Sequence, residues 1–486
     1  MPCTTILVGK NASWNGTNMI ARNDDSGSGY YTAKKFVVVS PKGQPNPYTS
    51  KISHVTIDLP DNPVRYTSCP NIDLTKGLWG ECGVNEYGVG MTATETITTN
   101  ARVLGADPMV VYDPETGKPG GIGEEDMVTI VLPYVKTARE AVKRLGMLLE
   151  EYGTYESNGI GFSDDDEIWW LETIGGHHWM ARRVPDDAYV VVANQLGIDF
   201  FDFDDAYGEQ KDYMCSADLK AFTENNHLDL TMDGKFNPRD AYGSHSDADH
   251  VYNTPRTWYM ERYFNPNTVK WQGPKADFTP TSDDIPWSMI PESKITPEDI
   301  KYILSSHYQG TPYDPYETHG DTSQAGIYRP IGINRNTFLG LIENRPNGET
   351  LEWLAFASNP FNAMVPYYAD ITSTPEYLAN TTLNVNTDNC YWTSRLIAAM
   401  ASAAYGQTRA IIERYENNVG AKSRALINKY DALLEAEKDE DKKMALRLQA
   451  NEELAAMAQA QAQDTLNQVL FVLTNQMKNA YSRDDA

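Results

Sequence analysis

Apolar and β-branched residues fall in short runs broken by polar turns over roughly the first two hundred positions, and in long helical stripes over the last hundred. Residues 3–8 (Cys-Thr-Thr-Ile-Leu-Val) and 18–22 (Asn-Met-Ile-Ala-Arg) are two such runs. The segment between them carries Gly9, Asn11, Asn15 and Gly16, so the pair predicts a β-hairpin that opens at Cys3. Further strands are predicted at 36–39, 88–94, 127–131, 168–172 and 189–193. Ala138, Ala141, Val142, Leu145 and Leu148 recur at helical spacing and predict a helix over 137–152, with Thr137 as N-cap and Glu140 three positions on.

From about residue 386 Gly and Pro nearly vanish, and Ala, Leu, Gln, Glu and Lys take over. This predicts two or three long helices over 391–417 and 421–480, broken near Gly420 and within 435–443. Such helices serve either to pack on the main core or to join copies of the chain, and a homo-oligomer is expected. Residues 205–330 are rich in Asp, Pro, Tyr and Gly with weak periodicity, the pattern of loops and short elements around a site. The expected organisation is therefore an α+β main body over 3–385 followed by a helical region over 386–486.

Charge narrows the choice of partners. Sixty-seven acidic against 41 basic residues give a net −26, which repels phosphate backbones and anionic membrane surfaces, so neither nucleic acid nor membrane is an expected partner. No run of about 18 apolar residues occurs. The amino-terminal stretch is interrupted by Asn11, Ser13, Asn15, Gly16 and Asn18, unlike a secretory signal, and a cytoplasmic location is expected. Runs such as 164–167 (Asp-Asp-Asp-Glu) read as solvated loops.

The five cysteines lack CxxC spacing in a long chain, which argues against a disulfide scaffold and against a thiolate zinc site. His177, His178, His245 and His250, with Asp247 and Asp249, have metal-competent side chains but no HExxH spacing, so no metal and no cofactor is expected.

Cys3 carries the most pointed chemistry. Were Met1 and Pro2 removed as a two-residue propeptide, Cys3 would hold a thiol and an α-amine on one residue, and an α-amine of pKa roughly 7.7–8.0 is a competent general base near neutral pH. A neighbouring cation favours the thiolate, and Arg22 on the return strand of the hairpin is the obvious one. Asp25 stands three residues on, placed to accept from the α-ammonium or to orient Arg22.

The segment Cys3-Thr4-Thr5-Ile6-Leu7-Val8-Gly9-Lys10, followed by Met19-Ile20-Ala21-Arg22-Asn23-Asp24-Asp25, resembles the C69 family of bacterial dipeptidases, members of the N-terminal-nucleophile hydrolases together with bile salt hydrolases and penicillin V acylases. The resemblance continues through Trp79-Gly80-Glu81, Gly83-Val84-Asn85-Glu86-Tyr87-Gly88-Val89, Trp169-Trp170-Leu171-Glu172-Thr173 and His307-Tyr308-Gln309-Gly310-Thr311-Pro312-Tyr313-Asp314. It implies a four-layer αββα sandwich, an autoprocessed Cys3 nucleophile, dipeptide substrates and a thioester acyl-enzyme. Arg22 and Asp25 belong to the pattern of the whole superfamily. Asn194 matches an asparagine beside the reacting carbonyl, and Arg256 matches an active-site arginine. Glu95 departs from the acylases, which carry an oxyanion-hole asparagine there; an ionised carboxylate would oppose an oxyanion, and a substrate-binding role is expected instead. The alternatives are an N-acyl amide hydrolase working by the same chemistry, and a non-catalytic acidic assembly or binding protein built on the long helices.

Overall fold

A computed structural model describes residues 3–27, 29–92, 95–232, 234–346 and 348–478. The predicted hairpin is present. Strand β1 (Cys3–Val8) pairs antiparallel with β2 (Asn18–Asp25), Cys3 opposite Asp24 and Thr5 opposite Arg22. Every residue of both strands is buried, which is the condition of strands covered on both faces. It is unusual that the charged end of β2, Arg22 to Asp25, is buried with the rest.

These strands lie at the centre of an antiparallel sheet running Ser288–Met289, Tyr189–Val192, β1, β2, Asn336–Asn344, Leu351–Phe356, Val365–Tyr368. A second antiparallel sheet runs Tyr213–Cys215, His178–Arg183, Ile168–Ile174, Asn158–Ser163, Gly90–Thr92, Cys82–Val84, with the short strand Glu95–Thr96 also on Asn158–Ser163. The second sheet packs on the first through Gly90–Thr92 and Asn158–Ser163 against β2. The helix Ala138–Tyr152 covers the second sheet, burying Ala138, Ala141, Val142, Leu145 and Leu148 as its spacing predicted, with the Glu140 backbone N–H donating to Thr137 Oγ1 at 3.1 Å. The chain is thus α+β with antiparallel sheets.

The helices Tyr405–Ala436 and Glu440–Thr474 close over the edge strand Val365–Tyr368, and the helix Cys390–Ala403 packs on Leu351–Phe356 and on Glu440–Thr474. Their buried residues belong to the same apolar cluster as β1 and β2. Asn451 substitutes for a missing neighbour strand: Tyr368 N–H donates to its Oδ1 at 2.8 Å, and its Nδ2 donates to Tyr368 O at 3.0 Å.

Two expectations fail. Met127–Val131 is an α-helix, not a strand; five successive buried apolar residues carry no period that tells the two apart. The chain does not break at Gly420. Ile412, Tyr415, Val419, Ser423, Ile427, Tyr430 and Leu434 form one buried stripe through it, while a Cβ at Gly420 would meet nothing within 4 Å. The cost of about 1 kcal/mol for a mid-helix glycine is small beside that burial. The breaks fall at Ala404 and at 437–439, the latter within the predicted charged stretch. Residues 93 and 94 of the predicted strand 88–94 lie outside the described residues.

Candidate active site

Pleating places Cys3, Thr5, Arg22 and Asp24 on one face of the β1–β2 hairpin, with Arg22 diagonal to Cys3. Arg22 Nη2 donates to Cys3 Sγ at 2.9 Å. The same nitrogen bonds Glu124 and lies 3.6 Å from Asp24, while Nη1 is 3.2 Å from Glu81. Lys34 completes the group, bonded to Glu81 and 3.4 Å from Asp24. None of these side chains is more than 3 % exposed.

Two cations therefore face three carboxylates in a dry interior. Burial alone would lower the pKa of Arg22, yet the Cys3, Glu124, Glu81 and Asp24 charges hold it well above its usual value. Burial likewise opposes ionised Asp24, but Lys34 and Arg22 override it and keep Asp24 below the usual carboxylate range. Glu81 goes the other way: burial, reinforced by Asp24, pushes it up to about 7. Cys3, Asp24 and Glu124 offer ligand atoms within 4.8 Å of one another, a composition that suits a metal ion, but the Arg22 guanidinium already bonds two of the three.

The backbone of Cys3 is gripped from the other side. Its N–H donates to Asn194 Oδ1 at 3.3 Å. Asn194 lies just after the strand Tyr189–Val192, which pairs with β1, and its Nδ2 donates to Thr96 O at 2.7 Å. Arg256, in the helix Thr254–Phe264, spends all five of its N–H groups: on Cys3 O, on Thr4 Oγ1 at 2.6 Å, on Asn194 Oδ1 at 2.6 Å, on Asn253 Oδ1 at 2.9 Å and on Tyr252 O at 2.7 Å.

Asp25, one pleat on from Asp24, bonds Arg329 and Asn336. Burial pushes its pKa up, against the pull of Arg329 and Arg256. The fold thus brings Cys3, Arg22, Asn194 and Arg256 into direct contact and sets Asp25 beside them. The Glu95 side chain lies outside the described part of the structure; its backbone pairs with Gly159. Met1 and Pro2 also lie outside it.

The histidines serve elsewhere. His177 and His178 both bond Asp107, at 2.8 and 2.7 Å, and His250 bonds Asp283 at 2.9 Å.

Sequence reasoning missed Glu81, Glu124 and Lys34. Glu81 stands in a segment that carried the family resemblance, and it adopts a left-handed backbone (φ 60°) that a non-glycine residue rarely takes, a signal only the structure shows. Glu124 opens the run Glu124-Glu125-Asp126, which reads as a solvated loop yet is entirely buried.

Residues 2–418 match the profile of Peptidase family C69, so the chain belongs to that family and is a peptidase. It is 58 % identical over 437 residues to a protein named dipeptidase from Bifidobacterium longum, covering 88 % of this chain and 82 % of that one. It is 49 % identical over 490 residues, the whole of both chains, to a probable dipeptidase A of Streptococcus pyogenes. To a dipeptidase A of Lactobacillus helveticus it is 47 % identical over 412 residues, 83 % of this chain and 82 % of that one.

Proposed function

We propose that the protein is a cytoplasmic cysteine dipeptidase in which Cys3, exposed as the first residue by removal of Met1 and Pro2, is both nucleophile and base. The names of its relatives support the substrate class. The observation that carries the chemistry is the double grip on Cys3: its sulfur meets a guanidinium and its main-chain nitrogen meets Asn194 Oδ1. A freed amine at that nitrogen stays anchored beside its own sulfur. The two packed antiparallel sheets with helices outside them accord with a four-layer αββα sandwich.

In this mechanism the Cys3 amine takes the thiol proton, and the sulfur, held as thiolate by Arg22, attacks the carbonyl carbon of the dipeptide. The oxyanion is met by the second N–H of Asn194 Nδ2 and by backbone N–H groups; removing one such donor from a comparable enzyme costs about 2.7–4 kcal/mol. The C–N bond breaks as the Cys3 ammonium returns its proton to the leaving amine. Water, deprotonated by the same amine, then cleaves the thioester and restores the thiol. Arg256, with every N–H committed, positions Cys3 and Asn194 rather than reaching substrate. Asp25 positions Arg329 and lends its charge to Arg256. Glu95 binds the α-ammonium that a free dipeptide carries next to the reacting carbonyl and an acyl amide lacks.

Purified protein of known intact mass, assayed against free dipeptides, conjugated bile salts and penicillin V, tests the reading. Hydrolysis of dipeptides by protein that begins at Cys3, abolished by one equivalent of iodoacetamide and absent in Cys3→Ala, is expected. Activity in Cys3→Ala, or full activity with Pro2 retained, sinks it. Preference for the acyl amides moves the chain to the other substrate class with the same mechanism.

A further inference from the structure

Asn194 is only as well placed as the turn that carries it, and that turn is fastened to the second sheet by a buried acid. Glu172, on the strand Ile168–Ile174, is fully buried. Its Oε1 accepts from Gly197 N–H at 2.7 Å, from Trp170 Nε1 at 3.0 Å and from Ile198 N–H at 3.4 Å. The turn is compact, with Gln195 N–H donating to Ala193 O at 2.7 Å. Arg239 and Trp287 hold its far side: the Arg239 N–H donates to Ile198 O at 3.1 Å, and its Nη1 donates to Ile285 O at 2.7 Å, two residues before Trp287.

Gly197 sits closely packed where these meet. A Cβ there would stand 3.1 Å from Trp287 Cδ1 and 3.5 Å from Glu172 Oε1. A void of about 20 Å3 opens at this place, lined among others by Gln195, Gly197, Arg239 and Trp287. Four polar atoms of the surrounding side chains have no hydrogen-bond partner among the described residues: Gln195 Oε1, Glu172 Oε2, Arg239 Nε and Trp287 Nε1. All four residues are at least nine-tenths buried. Gln195, Arg239 and Trp287 line the void and offer it one acceptor and two donors, which suits one water molecule, and the void exceeds the roughly 10–15 Å3 that a water needs.

We propose that Gln195, Arg239 and Trp287 bind one ordered water behind the 193–197 turn, and that Glu172 is the positioning residue that holds Asn194 against Cys3. The inference rests on the peptidase mechanism above and adds to it the support of the asparagine. Burial pushes Glu172 up to about 7, with the Gly197 and Trp170 hydrogen bonds and Arg239 pulling the other way. Arg239 also faces the buried Glu261, which burial holds well above the usual carboxylate range although Arg239 lowers its pKa. The function follows from tolerance: a misplacement of 1 Å at a reacting group costs about a hundredfold in rate.

The test compares Glu172→Ala, Glu172→Gln and Trp287→Phe in protein whose intact mass shows Cys3 as first residue. Glu172→Ala is expected to lower kcat by about 30-fold or more with little change in KM, because the interaction lost is one made in the transition state. The rate of Cys3 alkylation by iodoacetamide, which depends on Arg22, stays within about twofold of wild type. Glu172→Gln, which keeps a carbonyl acceptor for Gly197, restores most of kcat. An atomic-resolution crystal structure shows one water touching Gln195 Oε1, Arg239 Nε and Trp287 Nε1.

Wild-type kcat in Glu172→Ala, or an alkylation rate that falls in step with kcat, overturns the positioning role, and a dry void overturns the water site. If Glu172→Ala does not fold, Trp287→Phe carries the test, since it removes the indole N–H with part of the ring but leaves residues 193–197 intact: unchanged kcat together with a dry void overturns the proposal. A wild-type protein inactive on dipeptides, with Cys3 alkylated normally and the water in place, would instead indict the functional reading.

Discussion

Arg22 Nη2 lies 2.9 Å from Cys3 Sγ, and the same guanidinium is anchored by Glu124 and Glu81. A sulfur that accepts from a guanidinium is favoured as thiolate. Arg22→Gln should therefore slow alkylation of Cys3 at pH 7 by about tenfold or more. Arg22→Lys should recover little, because a lysine ammonium cannot span sulfur and two carboxylates as a planar fork does. Alkylation at the wild-type rate in a folded Arg22→Gln protein would show that the thiol is activated by something else.

Glu352 gives the fold a pH dependence of definite sign. It is fully buried on the strand Leu351–Phe356, and burial pushes it up to about 8. The folded state thus binds this proton more tightly than the unfolded chain does. The resulting stability is fully present below the usual carboxylate range, near pH 4.3, and is lost as pH rises through 8. Glu352→Gln mimics the protonated form and should flatten urea-unfolding stability between pH 5 and 8, with the variant the more stable at pH 8 by a few kcal/mol as an order of magnitude. A wild type that grows steadily more stable from pH 5 to 8, with the variant parallel to it, would contradict this.

Asn451→Ala should destabilise without touching catalysis. It leaves the N–H and C=O of Tyr368 buried and unpaired, at about 1–3 kcal/mol for each group. Denaturant midpoints should fall while kcat per folded molecule holds; an unchanged midpoint would mean water replaces the asparagine.

Glu95→Gln separates substrate binding from structure. A charge-assisted hydrogen bond to the substrate ammonium is worth about 1.5–3 kcal/mol, so kcat/KM for a free dipeptide should fall about tenfold or more while that for its N-acetylated form holds or rises. Equal loss on both substrates would assign Glu95 to the framework.

Self-association is expected at the exposed end of the helix Glu440–Thr474, where Leu470 and Phe471 are 51 % and 70 % exposed. Replacing both with Ser should convert an oligomer to monomer in sedimentation at micromolar concentration. A wild type that already sediments as a monomer would show that these helices only complete their own core.

Much of this was legible in the chain itself, for reasons that are local. Hairpin pairing from Cys3 to Arg22 follows from two β-branched runs and a polar turn between them, and the helix 138–152 from a stripe with a threonine cap. Cys3 and Arg22 could be singled out from the hairpin and its chemistry, whereas Asn194 and Arg256 were marked only by the family resemblance. Other features depend on partners far away in sequence, which no local pattern records. The strand Asn336–Asn344, beside β2, went unread, as did the helical state of Met127–Val131, since an apolar run buried on all sides has no period to read. Glu81, Glu124 and Lys34 had to be seen in space: a carboxylate on a loop looks solvated until the fold buries it 102 residues from the arginine it holds. Local periodicity sets the elements, but only tertiary packing decides which charges lose their water, and the buried charges are what define this site.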